Sequence, residues 1–159
     1  MIQGVQLKKL KALRDDRGFL MEILRSDDQI FERFGQAYIT GCKMGVAKAW
    51  HYHKLQTDNF TCISGETTVV LYDMREDSPT KGELEEYVLQ SPSLSDSQPM
   101  LLQIPPLVVH GFTARTGPEA IILNIPTQTY RYHDPDEHRF PWNSEIIPYD
   151  WSPEIKTGG

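Results

Sequence analysis

The chain has 159 residues, 39% of them hydrophobic, which suits one domain with a sizeable core rather than two marginal ones. Acidic residues outnumber basic ones by 22 to 16, giving a formal net charge of -6, so a phosphate-coated polymer is repelled and nucleic acid is not an expected partner. A small anion held by two or three local cations remains compatible with that charge.

No run approaches the roughly 20 apolar residues that span a bilayer. The start, residues 1–9, lacks the apolar stretch of a signal peptide. Cys42 and Cys62 are too few for a disulfide framework, and both lie in strand-like text. The expectation is therefore a cytoplasmic protein with buried thiols and no membrane partner.

In chain order, the first signal is helical: residues 27–34, DDQIFERF, predict a short helix with Asp27 or Asp28 near its cap. Strand signals come next at 37–42 and 44–51. Residues 60–63 and 67–72 read as two strands joined by a tight turn at Ser64-Gly65. Further strands are predicted at 86–90, 100–104, 108–113 and 120–125, with the Ser- and Pro-rich stretch 90–98 as a loop. Asp73, Arg75 and Ser78 read as fixing a turn. The polar run 131–138, with His133 and His138, reads as a solvated loop, and residues 156–159 as a frayed tail. There are no internal repeats and no linker. The pattern predicts an all-β sandwich or barrel with little helix, one domain over residues 1–153 and a short C-terminal tail over 154–159.

The chemistry concentrates in histidines. His51 and His53 sit two apart in KAWHYHK, so strand periodicity turns both imidazoles to one face and Trp50 and Tyr52 to the other. A barrel interior collects one face of every strand, which brings the distant His110 to the same cavity. Asp58, five residues after His53, completes a candidate ligand set of His51, His53, Asp58 and His110 for a divalent metal of unspecified identity. The alternative is a set of satisfied polar groups around a ligand pocket without metal.

The spacing of Gly45, His51, His53, Asp58 and Gly65 resembles the first cupin motif, with Asp58 where Glu is usual. Pro105, Leu107 and His110 resemble the second, with Leu107 where Gly is usual. A closer resemblance is to the RmlC-type dTDP-4-dehydrorhamnose 3,5-epimerase family. It is carried by Asp16-Arg17-Gly18-Phe19 with Glu22, by Gln36, and by Lys48-Ala49-Trp50-His51. It continues through Gly65-Glu66, residues 73–82, Ile104-Pro105, His110-Gly111-Phe112 and Trp142-Asn143. The resemblance implies a cupin-type double-stranded β-helix (a jelly-roll barrel) and a homodimer. It implies a nucleoside-diphosphate keto-deoxy sugar as substrate, and no required cofactor. His51 is then the catalytic base, His110 a catalytic pocket histidine, and Arg17, Glu22, Gln36 and Lys48 the substrate-binding groups. Strict alternation puts Lys48 on a different face from His51 unless a bulge intervenes.

The chain also departs from that family. The carboxylate that partners the base comes from a segment for which this sequence offers no counterpart. The family's tyrosine falls at Leu123 or Asn124, its oxyanion-facing lysine at Asp58, and an inward aspartate at Val69. The leading expectation is an isomerase or epimerase acting by proton abstraction next to a carbonyl, with metal assistance as an option. The alternatives are a metal-dependent cupin enzyme of another class and a non-catalytic sugar-nucleotide-binding cupin.

Overall fold

Val69, Val70 and Leu71 are all fully buried, so the strand that carries them has no solvent face. Val69 and Leu71 join one apolar cluster with Phe60, Leu102, Phe112 and Ile122, whereas Val70 joins a second with Trp50, Val109 and Trp151. That period of two places the strand in the wall of a barrel, one face toward the lumen and one toward an outer layer. Each such side chain contributes about 1.5–3 kcal/mol relative to exposure, so this wall is where much of the apolar stabilisation resides.

The structure is a computed structural model, and it describes residues 1–152 and 154–159. Among the described residues, eleven strands run in chain order: β1 (Gln6–Lys9), β2 (Ala12–Asp15), β3 (Gly18–Met21), β4 (Tyr38–Lys43), β5 (Val46–Tyr52), β6 (Asp58–Asp73), β7 (Leu84–Gln90), β8 (Met100–Ile104), β9 (Val108–Asn124), β10 (His138–Arg139) and β11 (Thr157–Gly158). Nine of them form one sheet in the order β1-β8-β6-β9-β5-β10, with β4 also on β9, β7 on β6 and β11 on β5. β6 and β9, far longer than their neighbours, run antiparallel along most of their length. Each therefore offers different partners at its two ends, and the sheet curls into the jelly roll expected. β2 and β3 stand apart as a separate hairpin.

The turn predicted at Ser64-Gly65 is instead an irregularity inside the continuous β6, where the register with β9 shifts between Cys62 and Thr67. Gly65 has φ of +72°, and a Cβ there would lie 2.8 Å from the Glu119 carbonyl oxygen. A left-handed glycine suits a bulge as well as a tight turn, and here the partner strand decides for the bulge. Similarly, 108–113 and all but the last residue of 120–125 belong to the single strand β9.

The helix predicted at 27–34 does not form, and no helix is found among the described residues. Asp28 accepts the Arg25 amide at 2.8 Å, upstream of itself, whereas a cap holds amides downstream, and the segment makes only isolated turns. Ile30 packs with Leu10 and Leu101, while Phe34 stays exposed, so no apolar helical stripe is buried. The tail is not frayed either. Thr157 and Gly158 run parallel to Val46 and Ala47, and Ile155 is buried in the outer cluster.

One close approach matters for the site. A Cβ at Gly111 would meet the Ala49 Cβ at 2.4 Å, so glycine lets β9 lie against β5 beside both histidine positions.

Candidate active site

A cavity of about 560 Å³ opens at one end of the barrel, in the usual range for a small-molecule site. His51, His53, Asp58 and His110 all line it, together with Gln36 and Lys48. The ring centroids of His51 and His53 lie 6.4 and 5.8 Å from that of His110. The convergence of distant strands expected from the sequence is therefore present. Trp50 and Tyr52 turn outward into the second apolar cluster, as alternation requires. Lys48 reaches the cavity because the β5–β9 register shifts between Lys48 and His51, which supplies the bulge that alternation alone did not.

The four groups divide into two arrangements. Asp58 is buried, and its Oδ1 accepts from Gln56 at 2.8 Å and Asn124 at 2.7 Å. Its Oδ2 lies 3.2 Å from His53 Nε2 and 3.4 Å from His110 Nε2. The other nitrogen of His53 bonds the Asp136 carbonyl, which can only accept, and Asp58 accepts from Nε2. Both ring nitrogens then carry protons, and His53 is an imidazolium. Burial opposes that charge, but the hydrogen bond and charge of Asp58 outweigh it, and His53 is pushed up to about 9. Burial also works against the Asp58 carboxylate, yet His53 and His110 hold it below the usual range. Burial keeps His110 neutral, lowering its pKa, while its Nδ1 faces the Val108 carbonyl at 3.1 Å.

The donor atoms of His53, Asp58 and His110 lie within 4.8 Å of one another, close enough to hold an ion. His51, expected as the fourth ligand, stands outside that set. β5 ends at Tyr52, so His53 lies past the strand and turns to Asp58, while His51 turns to a different acid.

That acid is Glu137, whose Oε1 lies 3.5 Å from His51 Nδ1. β10 pairs with the end of β5, setting Arg139 opposite His51, and the Arg139 guanidinium bonds Glu137 in turn. Burial, with the nearby His110 and Arg139, lowers His51 to about 4, against the opposing pull of Glu137. The imidazole is thus neutral across the physiological range. The segment read as a solvated loop delivers these groups: residues 131–135 are exposed, but Asp136 and Glu137 are half-buried in the cavity wall and His138 is half-buried against the outward-facing Tyr52. The Asp136 carboxylate caps the backbone amides of Lys54, Leu55 and Gln56 at 2.8, 2.8 and 3.1 Å. Glu137 was missed because this run has no strand periodicity; only its two acids before a short basic strand hinted at it.

At the far end of β9, Tyr38 lies opposite Asn124 and accepts a hydrogen bond from its side chain at 2.9 Å. Lys48 Nζ donates to Thr40 at 2.7 Å, and Gln36 accepts the Tyr130 amide at 3.1 Å. Arg17 and Glu22 do not line the cavity of the single chain. Arg17 holds Asp15 across the β2–β3 turn and Glu22 pairs with Arg25.

A model of the dTDP-4-dehydrorhamnose 3,5-epimerase family matches residues 1–157. The chain belongs to that family. It is 42% identical to the spore coat polysaccharide biosynthesis protein SpsL of Bacillus subtilis (strain 168), over 98% of this chain and 100% of that one. It is 40% identical to the probable low-salt glycan biosynthesis epimerase Agl13 of Haloferax volcanii, over 97% of each. Among solved structures, a dTDP sugar isomerase from Desulfovibrio desulfuricans G20 superposes with a TM-score of 0.86 at 35% identity, covering 94% of this chain and 92% of that one. RmlC-type epimerases need no cofactor. No helix among the described residues is long and apolar enough to cross a membrane.

Proposed function

We propose that this protein is a nucleotide-sugar epimerase that inverts a carbon beside a ketone through an enolate, with His51 as the base. The observation that carries the reading is His51 in the cavity wall with Glu137 against its Nδ1. A carboxylate there fixes the tautomer, leaving Nε2 to accept a proton, and stabilises the imidazolium that forms. The 3.5 Å separation can tighten when substrate binds.

The enolate needs positive charge near its oxygen. Where the family places a lysine, this chain has Asp58, but Asp58 holds His53 as an imidazolium facing the same cavity. The cation sought from sequence in a divalent metal is, on this reading, His53. Protein dialysed against EDTA therefore keeps its turnover; loss restored by a divalent ion would return His53, Asp58 and His110 to a metal role. His110 stays neutral and, as part of the cavity wall, helps to orient the sugar. Lys48, Arg131 and Arg139 supply cationic lining suited to a diphosphate in an otherwise acidic protein.

Gln36 and Lys48 are placed to bind substrate from within the chain, whereas Arg17 and Glu22 need a second copy to reach it. The β2–β3 hairpin exposes Leu13, Phe19 and Leu20, an apolar surface that favours the homodimer expected. Light scattering at micromolar concentration checks it. The buried free thiols of Cys42 and Cys62 agree with a cytoplasmic setting.

The decisive experiment tracks a dTDP-4-keto-6-deoxyhexose in D₂O by NMR. Deuterium entering the carbons flanking the ketone supports the reading. No exchange with this or a set of nucleotide variants sinks it and favours a binding protein.

A further inference from the structure

Inversion requires the proton to return to the face opposite its departure, so an epimerase needs an acid distinct from its base. A role for such an acid rests on the epimerase reading and adds to it the group that completes the reaction. The donors lining the cavity are few. Both nitrogens of His53 are engaged by Asp58 and Asp136. Lys48 is tied to Thr40 and is the cation suited to the diphosphate. Tyr132 is 86% exposed, so bulk water reaches it first, and Tyr130, 43% exposed against 40% for Tyr38, has no hydrogen bond among the described residues that sets the direction of its hydroxyl.

Tyr38 differs from all of these. Its hydroxyl accepts from Asn124 Nδ2 at 2.9 Å, and among the described residues it donates to no protein group. The direction of that bond is not free. Asn124 is fully buried, and its Oδ1 accepts the backbone amide of Asn59 at 2.9 Å. The amide nitrogen is thereby turned outward, donating to Asp58 at 2.7 Å and to Tyr38. With one lone pair occupied, the phenolic proton is left to face the cavity that Tyr38 lines.

We propose that Tyr38 is the catalytic acid, and that Asn124 is the residue that positions it. Base and acid then arrive from strands paired to opposite ends of β9, His51 across from His110 and Tyr38 across from Asn124. Burial and the charge of Asp58 push the Tyr38 phenol up to about 12, so it is fully protonated at neutral pH. The step balances. His51 takes the proton as the C–H bond breaks, and the enolate forms. The Tyr38 O–H bond then breaks as a new C–H bond forms on the other face, leaving a phenolate that Asn124 stabilises. The imidazolium releases its proton to water, and water reprotonates the phenolate through the half-open side of the ring. Asn124 stands at or beside the position where the family carries its tyrosine, so the phenol enters from the adjacent strand.

The test is Tyr38→Phe with a dTDP-4-keto-6-deoxyhexose in D₂O, reading product formation and deuterium in the unepimerised substrate separately. The expected result is a fall in epimerised product of about 100-fold or more. Exchange into unepimerised substrate stays within about threefold of wild type, since His51 still removes and returns the proton on its own face. Product formation at the wild-type rate overturns the proposal. So does joint loss of product and exchange in a variant with unchanged melting temperature, because an acid acting only at the return step leaves exchange intact. An absence of exchange in wild type is a separate outcome, which removes the epimerase reading itself and this role with it.

Discussion

β6 begins and ends with a buried aspartate, and the two ends have opposite uses. Asp73 is satisfied by its own neighbourhood: Arg75 Nε at 2.8 Å, Ser78 at 2.5 Å and Thr80 at 2.6 Å, all within seven residues. Asp58 is satisfied only by residues brought from elsewhere, His110 and Asn124 of β9 and the 53–56 connection. Both carboxylates are held below the usual range against the opposing effect of burial. Burial and a depressed pKa therefore do not separate a turn lock from a functional group. What separates them is whether the partners are local and close a loop, or distant and face a cavity.

That contrast can be tested from its strongest consequence downward. His51→Ala, at the cavity end, is expected to cut solvent exchange and product by about 1,000-fold or more with little change in melting temperature. Asp73→Asn, at the turn end, should do the reverse. Removing the charge partner of Arg75 is expected to destabilise by about 3 kcal/mol, or roughly 6–12 °C in Tm by calorimetry. Turnover per folded molecule should be unchanged. If Asp73→Asn instead lowered turnover at full stability, the distinction between the two ends would fail.

Asp58→Asn sharpens the comparison through pH. His53 is raised from its ordinary 6.5 to about 9 in the folded state, so folding holds an extra proton between those values. The stability it contributes is complete below about 6.5 and is lost as pH rises through 9. Asp58→Asn should flatten that alkaline decline in urea titrations, and should lower turnover by about 100-fold if the imidazolium stabilises the enolate. Glu137→Gln should have the smallest effect, about 10- to 100-fold in kcat, with the protein still folded. Because His51 is lowered to about 4, wild-type activity should show no acid limb near 6.5 from this base. A limb near 6.5 would show that His51 titrates as an ordinary histidine.

Much of the barrel was legible from the chain because its walls obey simple alternation. The histidines of KAWHYHK point inward and Trp50 and Tyr52 outward, as a period of two demands. Where alternation was interrupted, the sequence offered two solutions that only the partner strand could separate. Ser64-Gly65 suits a hairpin or a bulge, and β9 running alongside selects the bulge. DDQIFERF has capping and helical residues, but its apolar groups do not share one buried face. The site divides in the same manner. His51, His53, Asp58 and His110 could be placed from spacing, whereas assigning all four to one ion overlooked the end of β5. Glu137 and Tyr38 escaped because their importance lies in cross-strand pairing, His51 opposite Arg139 and Tyr38 opposite Asn124, and neither pairing leaves a motif.

The close approach at Gly111 has a consequence for how this protein can change. With no side chain there, the strand bearing His110 rests directly on the strand bearing His51, so the gap between the imidazoles is set by an absent methyl group. Any residue larger than glycine at position 111 would wedge the strands apart and widen the reaction chamber without touching a reacting group. The width of the cavity is therefore governed in part from behind the pocket wall, at the seam between the two strands.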